Sequence, residues 1–200
     1  MKKRPSGRTM SRRSVLSAVG AASAAALGGA AARANAAASP DRTADGQWTR
    51  LRRVVTTEGA DGRVIVIADG EPANTLVMNG TRITRLWETP AVPAALPLTA
   101  DAGATAGNAY REGFRGSSFY IAELPGGKRA PSIPLHQNAT LDYMAILSGR
   151  IVFKTPDQEI ILKAGDTLVQ GGNMHTWINR WREPCLLLFV VLTGERRAGT

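Results

Sequence analysis

Short runs rich in apolar and β-branched residues recur along the chain, and glycine, proline, asparagine or aspartate stands between them. Such runs bounded by turn residues predict strands, and an extended chain turns alternate side chains to opposite faces. Two runs lie early, at 53–57 and 63–68, joined by the turn-forming Glu58-Gly59-Ala60-Asp61-Gly62. A third strand is predicted at 81–87. The segment 89–108 is rich in Ala, Pro, Gly and Thr without a usable period, which predicts a long loop. From Ser117 the signals become dense, at 118–124, 141–147, 151–155, 159–162, 167–170, 175–179 and 185–192. Pro156 presets φ for the turn between two of these runs, and Asp157 is placed to cap it. Helical periodicity is almost absent, and neither an internal repeat nor a strand–helix–strand unit is visible. The pattern predicts an all-β fold, an antiparallel sandwich or small barrel.

Charge changes the picture only at the N-terminus. The chain of 200 residues carries a net charge of +9. Lys2, Lys3, Arg4, Arg8, Arg12, Arg13 and Arg33 fall before residue 37 with no acid among them, so without that stretch the net charge is close to +2. The basicity belongs to a leader, and no aromatic-plus-basic stripe follows, which excludes a nucleic-acid partner. Arg12-Arg13 precedes a charge-free Ala/Gly segment at 15–32, and Ala34-Asn35-Ala36 offers the small-x-small pattern of a cleavage site. Paired arginines in this setting resemble a twin-arginine export signal. A membrane anchor and an Ala-rich tail are the alternatives, but Ala and Gly transfer little apolar area. The expectation is an export signal at 1–36 that engages export machinery, a linker at 37–46, and an exported mature protein, periplasmic or extracellular. The one cysteine, Cys185, lies in an apolar strand and reads as a buried structural thiol.

The chain has two histidines, His136 and His175. Parity puts His136, Asn138, Thr140 and Asp142 on one face of an extended chain, with Met144 in step. The same argument groups His175, Trp177 and Asn179. If both strands line one barrel, two imidazoles and a carboxylate converge on its interior. That set suits Fe, Mn, Zn, Cu or Ni. Structural histidines with satisfied hydrogen bonds are the alternative. Thr140, Met144, Trp177 and Asn179 are candidates for a pocket wall.

The segment from His136 through Asn138 and Asp142 to Gly149 resembles the first cupin motif. Gly165-Asp166 through His175 and Asn179 resembles the second, and a hairpin lies between them. The likeness covers roughly 119–192. It implies a double-stranded β-helix, a jelly-roll barrel with an N-terminal strand extension, divided into N-terminal strands and long loop at 47–116, barrel core at 117–194 and tail at 195–200. Three departures stand out: Asn138 replaces the usual second histidine, Asp142 the usual glutamate, and Gly171-Gly172 a proline. The resemblance implies a divalent metal held by His136, Asp142 and His175, with Asn138 as a weak donor. Iron or manganese is favoured, with zinc, nickel and copper also compatible.

The function so implied is a metal-dependent enzyme of oxygenase, isomerase or decarboxylase type on a small organic substrate. A non-catalytic small-molecule-binding cupin with a degenerate metal site is the alternative. A homodimer is expected from Leu141, Tyr143, Ala145 and Leu147, an apolar row on the face opposite Asp142.

Overall fold

The computed structural model describes residues 51–108, 110–111 and 113–197. The export signal with Arg12, Arg13, Ala34 and Ala36, and the linker at 37–46, lie outside the described residues.

The described chain forms strands, apart from one 3-10 turn at Gly127–Arg129. The strands are β1 (Arg53–Glu58), β2 (Val64–Gly70), β3 (Thr75–Met78), β4 (Thr81–Thr89), β5 (Ser117–Leu124), β6 (Thr140–Ser148), β7 (Arg150–Lys154), β8 (Glu159–Lys163), β9 (Thr167–Gln170), β10 (Thr176–Ile178) and β11 (Cys185–Thr193). All predicted strands are present to within a residue or two. Strand β3 was not predicted. It pairs with β4 around Asn79-Gly80, both at positive φ (50° and 80°), as a tight hairpin turn requires.

Three antiparallel sheets result. β1 and β2 form a hairpin, β10-β7-β8 a small sheet, and β3-β4-β5-β11-β6-β9 a sheet of six. The two larger sheets pack face to face as the walls of the expected small barrel, so the fold is all-β and of double-stranded β-helix type. Strands β3 and β4 are continuous with the barrel strands, since β4 hydrogen-bonds along β5.

The inner faces explain the alternation. Tyr120, Ala122 and Leu124 of β5, Met144 and Ile146 of β6, and Leu187, Phe189 and Val191 of β11 meet Ile151, Phe153, Leu162 and Trp177 of the small sheet. Ile151 and Leu187 are completely buried, each contributing about 1.5–3 kcal/mol through removal from water. Cys185 is fully buried, and burial pushes its thiol up to about 12, so it is inert at neutral pH. Gly149, at φ +74°, ends β6 where any Cβ would stand 2.5 Å from the Pro184 carbonyl. The β7–β8 turn is closed by Thr155, whose Oγ1 accepts from Gln158 N at 3.1 Å, rather than by Asp157.

The long loop is anchored. Arg53 makes a two-pronged bond to Asp101 at 2.5 and 2.6 Å. This pairing holds the Asp101 carboxyl below its usual range. Leu98 N donates to Thr57 Oγ1 at 2.7 Å, and Asn74 Nδ2 to the Ala106 carbonyl at 2.8 Å. Glu88 accepts from Gly107 N and takes both arms of Arg111.

On the outer face of the six-stranded sheet, cross-strand register aligns Val169, Tyr143, Val190, Phe119 and Trp87 in one apolar stripe. Tyr143 is 44% and Val169 64% exposed.

Candidate metal centre and cavity

Two chain segments bring the histidines together. His136 sits in an irregular stretch before β6, and His175 just before β10. They form an isolated antiparallel bridge in which each backbone N–H donates to the other's carbonyl at 2.9 Å. The two rings are 4.3 Å apart, and His175 also stacks on Phe153 at 5.5 Å. Asp142 enters from β6, directly opposite Gln170 of β9.

His136, Asp142, Gln170, His175 and Trp177 line one cavity of about 150 Å³. Tyr110, Tyr120 and Asn79 add polar groups, and Met78, Ile83, Leu124, Ile133 and Phe189 add apolar wall. It is smaller than the ~300–1,000 Å³ clefts that take drug-sized ligands. Trp177 lines this cavity, held against Phe153 at 4.9 Å and edge-on to His175 at 6.1 Å.

The hydrogen bonds decide the tautomers. His136 Nδ1 lies 2.9 Å from the Pro134 carbonyl and His175 Nδ1 lies 3.0 Å from the Asn173 carbonyl. A carbonyl can only accept, so each Nδ1 carries its hydrogen and each Nε2 carries a lone pair. A ring nitrogen tied to a backbone carbonyl is the arrangement that readies the other nitrogen for a metal. Gln170 Nε2 lies 2.7 Å from Nδ1 and 3.3 Å from Nε2 of His175. Two N–H donors cannot face each other at 2.7 Å, so with Nδ1 donating, the Gln170 amide turns its otherwise unpartnered Oε1 toward that nitrogen.

Asp142 is 2% exposed and its Oδ1 has no hydrogen-bond partner. Burial raises its pKa, partly offset by the neighbouring Thr140 hydroxyl and by His136. Burial lowers that of His175, with the Asn173 carbonyl acting in the opposite direction. A buried carboxylate oxygen without a donor beside two imidazole lone pairs is a donor set that fits a divalent cation. Among the described residues, no three His, Cys, Asp or Glu side chains are already gathered around one point.

The other sequence candidates lie elsewhere. Asn138 and Thr140 line a separate groove with Gly171, Gly172 and Glu195, although the Thr140 hydroxyl also neighbours Asp142. The chain is not a strand between His136 and Thr140, so strand parity does not carry across. Gly172 permits the close approach there: at φ +69°, a Cβ would stand 2.9 Å from the Asn138 carbonyl. Met144 belongs to the core between the sheets. Asn179 is committed to structure: its amide donates to the Leu124 and Glu183 carbonyls and its Oδ1 accepts from Trp181 N. Gln170, Tyr110 and Tyr120 escaped the motif reading. Gln170 was legible only through the β6–β9 register.

The fold and cavity define a small antiparallel β-barrel of double-stranded β-helix architecture. Solved structures similar to the chain include cupin-domain proteins. The cupin domain of Schizosaccharomyces pombe Cnp3 is 13% identical over 72% of this chain and 88% of its own, with a TM-score of 0.45. A putative ethanolamine utilization protein of Salmonella typhimurium is 10% identical over 74% and 99%, with a TM-score of 0.40. A cupin superfamily protein of Desulfitobacterium hafniense is 19% identical over 38% and 67%, with a TM-score of 0.34. No protein-family model and no curated protein sequence matches the chain.

Proposed function

We propose that this chain is an exported cupin-type protein that holds a divalent metal through His136, His175 and Asp142 and takes a small organic molecule beside it. One observation carries the reading. Both histidines spend Nδ1–H on a backbone carbonyl, leaving Nε2 lone pairs on the cavity that also holds the unpartnered Asp142 oxygen. A bound divalent ion supplies Lewis acidity and open coordination positions. The chain's own residues do the rest. The carbonyls of Pro134 and Asn173 fix the rings, Trp177 walls the cavity with Phe153 packed against it, and Gln170 braces the His175 ring at Nδ1. Oxygenation, isomerisation or decarboxylation of a small substrate is the chemistry such a site offers. Iron or manganese is the expected ion, because a chain exported already folded can carry a weaker-binding metal past the copper and zinc outside. The test is elemental analysis of protein purified through its own export route. About one iron or manganese per chain supports the reading, and an empty protein that stays empty on titration with either ion defeats it.

A second reading, a non-catalytic binder with a degenerate metal site, is favoured by Asn138, which stands where the cupin motif has its second histidine and lines another groove. It requires no metal, so the same measurement separates the two.

Export and assembly complete the proposal. Changing Arg12 and Arg13 both to lysine leaves precursor inside the cell, as immunoblots of cell fractions would record. Mature protein outside would remove the twin-arginine assignment. The stripe from Val169 to Trp87 pairs with its copy in a homodimer. Light scattering at micromolar concentration should give twice the chain mass, and a monomer would refute it.

A further inference from the structure

The metal reading makes no use of the Tyr110–Tyr120 pair. The two hydroxyls lie 2.9 Å apart in the cavity wall, and their only hydrogen bond among the described residues is to each other. Two phenols carry two O–H hydrogens, and the bond between them uses one. Both remain protonated at neutral pH: burial, followed by the charge of Asp142, pushes Tyr110 up to about 12, and burial raises Tyr120 further from its usual range. One O–H hydrogen is therefore unspent in the cavity.

Both rings are held. Tyr120 is stacked on Phe189 at 4.8 Å and 8°. Tyr110 comes from the long loop. Its N–H donates to Asn108 Oδ1 at 3.0 Å, and its neighbour Arg111 grips Glu88 at 2.6 and 2.8 Å while lying over the Phe114 ring. Tyr110 keeps 40% of its surface exposed, so it stands at the mouth with its hydroxyl end enclosed against Tyr120.

We propose that this hydroxyl pair is the specificity device of the cavity, giving its unspent hydrogen to the carbonyl oxygen of a small neutral compound with an apolar body. The apolar body is set by Met78, Ile83, Leu124, Ile133 and Phe189. Neutrality is set by the lining, which holds no Lys or Arg to pair with an anion. The inference rests on the cavity being a small-molecule site, and not on the metal.

The test uses chelator-treated mature protein and three probes of one shape: cyclohexanone, methylenecyclohexane and cyclohexanecarboxylate, with affinities from calorimetry or saturation-transfer NMR. Cyclohexanone should bind about fivefold tighter than methylenecyclohexane, the worth of one neutral hydrogen bond. Tyr110→Phe combined with Tyr120→Phe should abolish that preference while keeping methylenecyclohexane affinity, since both rings remain. If the double variant does not fold, at least one of the single variants must lose the preference. Equal affinities in the wild type, a preference that survives in the variants, or tighter binding of the carboxylate overturns the proposal. If no probe binds, the small-molecule reading of the cavity falls with it; if the probes bind without preference, only this inference falls.

Discussion

His175→Ala yields a protein almost free of metal. Nε2 of His175 is one of two imidazole lone pairs at the cavity, and its ring is fixed by the Asn173 carbonyl and by stacking on Phe153. Loss of a group that merely orients a ligand costs about 10–100-fold in metal affinity, and loss of the ligand itself costs at least as much. Occupancy measured by elemental analysis after dialysis should fall below about a tenth of wild type on that ground. Asn138→Ala is the control: its side chain lines another groove, so occupancy should be unchanged. Wild-type occupancy in His175→Ala would refute the ligand assignment, and a loss in Asn138→Ala would mean that the loop closes onto the site.

Asp142→Asn is expected to act with opposite signs in the two states of the protein. Without metal, a buried carboxylate whose Oδ1 lacks a donor destabilises the fold whenever it is ionised. Its folded pKa is raised above the unfolded value. The stability contributed by the protonated carboxyl is therefore fully present below the ordinary carboxylate pKa and lost as pH rises through the raised one. An amide has no ionised form, so the chelated variant should melt above chelated wild type at pH 7, with less change in melting across that pH window. With metal the order reverses. At about 100 times Kd, wild type gains about 2.7 kcal/mol by mass action, roughly 5–11 °C for a chain of this size, and the variant gains little. Scanning calorimetry with chelator and with metal reads both signs. A chelated variant that melts below wild type, or one that gains as much from metal, would refute the account.

The strands were readable because alternation is a local property. β6 shows it plainly, with buried Asp142, Met144 and Ile146 set between exposed Tyr143 and Leu147. β3 escaped because four residues are too short for a period, although Asn79-Gly80 marked its hairpin. His136 and His175 stood out because the chain has two histidines, and Asp142 through strand parity and its spacing to Gly149. Asn138 was misplaced where parity was extended across an irregular stretch. Gln170, Tyr110 and Tyr120 depend on register and on a loop path set by Arg53–Asp101 and Glu88–Arg111, contacts that span 48 and 23 residues. No local pattern encodes such distances.

The reciprocal backbone bridge between His136 and His175 has a consequence in time. The main chain already holds the two imidazole-bearing segments side by side, so the entropy of bringing them together is spent when the barrel folds and not when an ion arrives. Loading then resembles docking onto a finished surface rather than the folding transition of a zinc finger, where apo chains are unfolded. The empty protein should remain folded, less stable than the filled one but able to give up its ion and take another without passing through an unfolded chain.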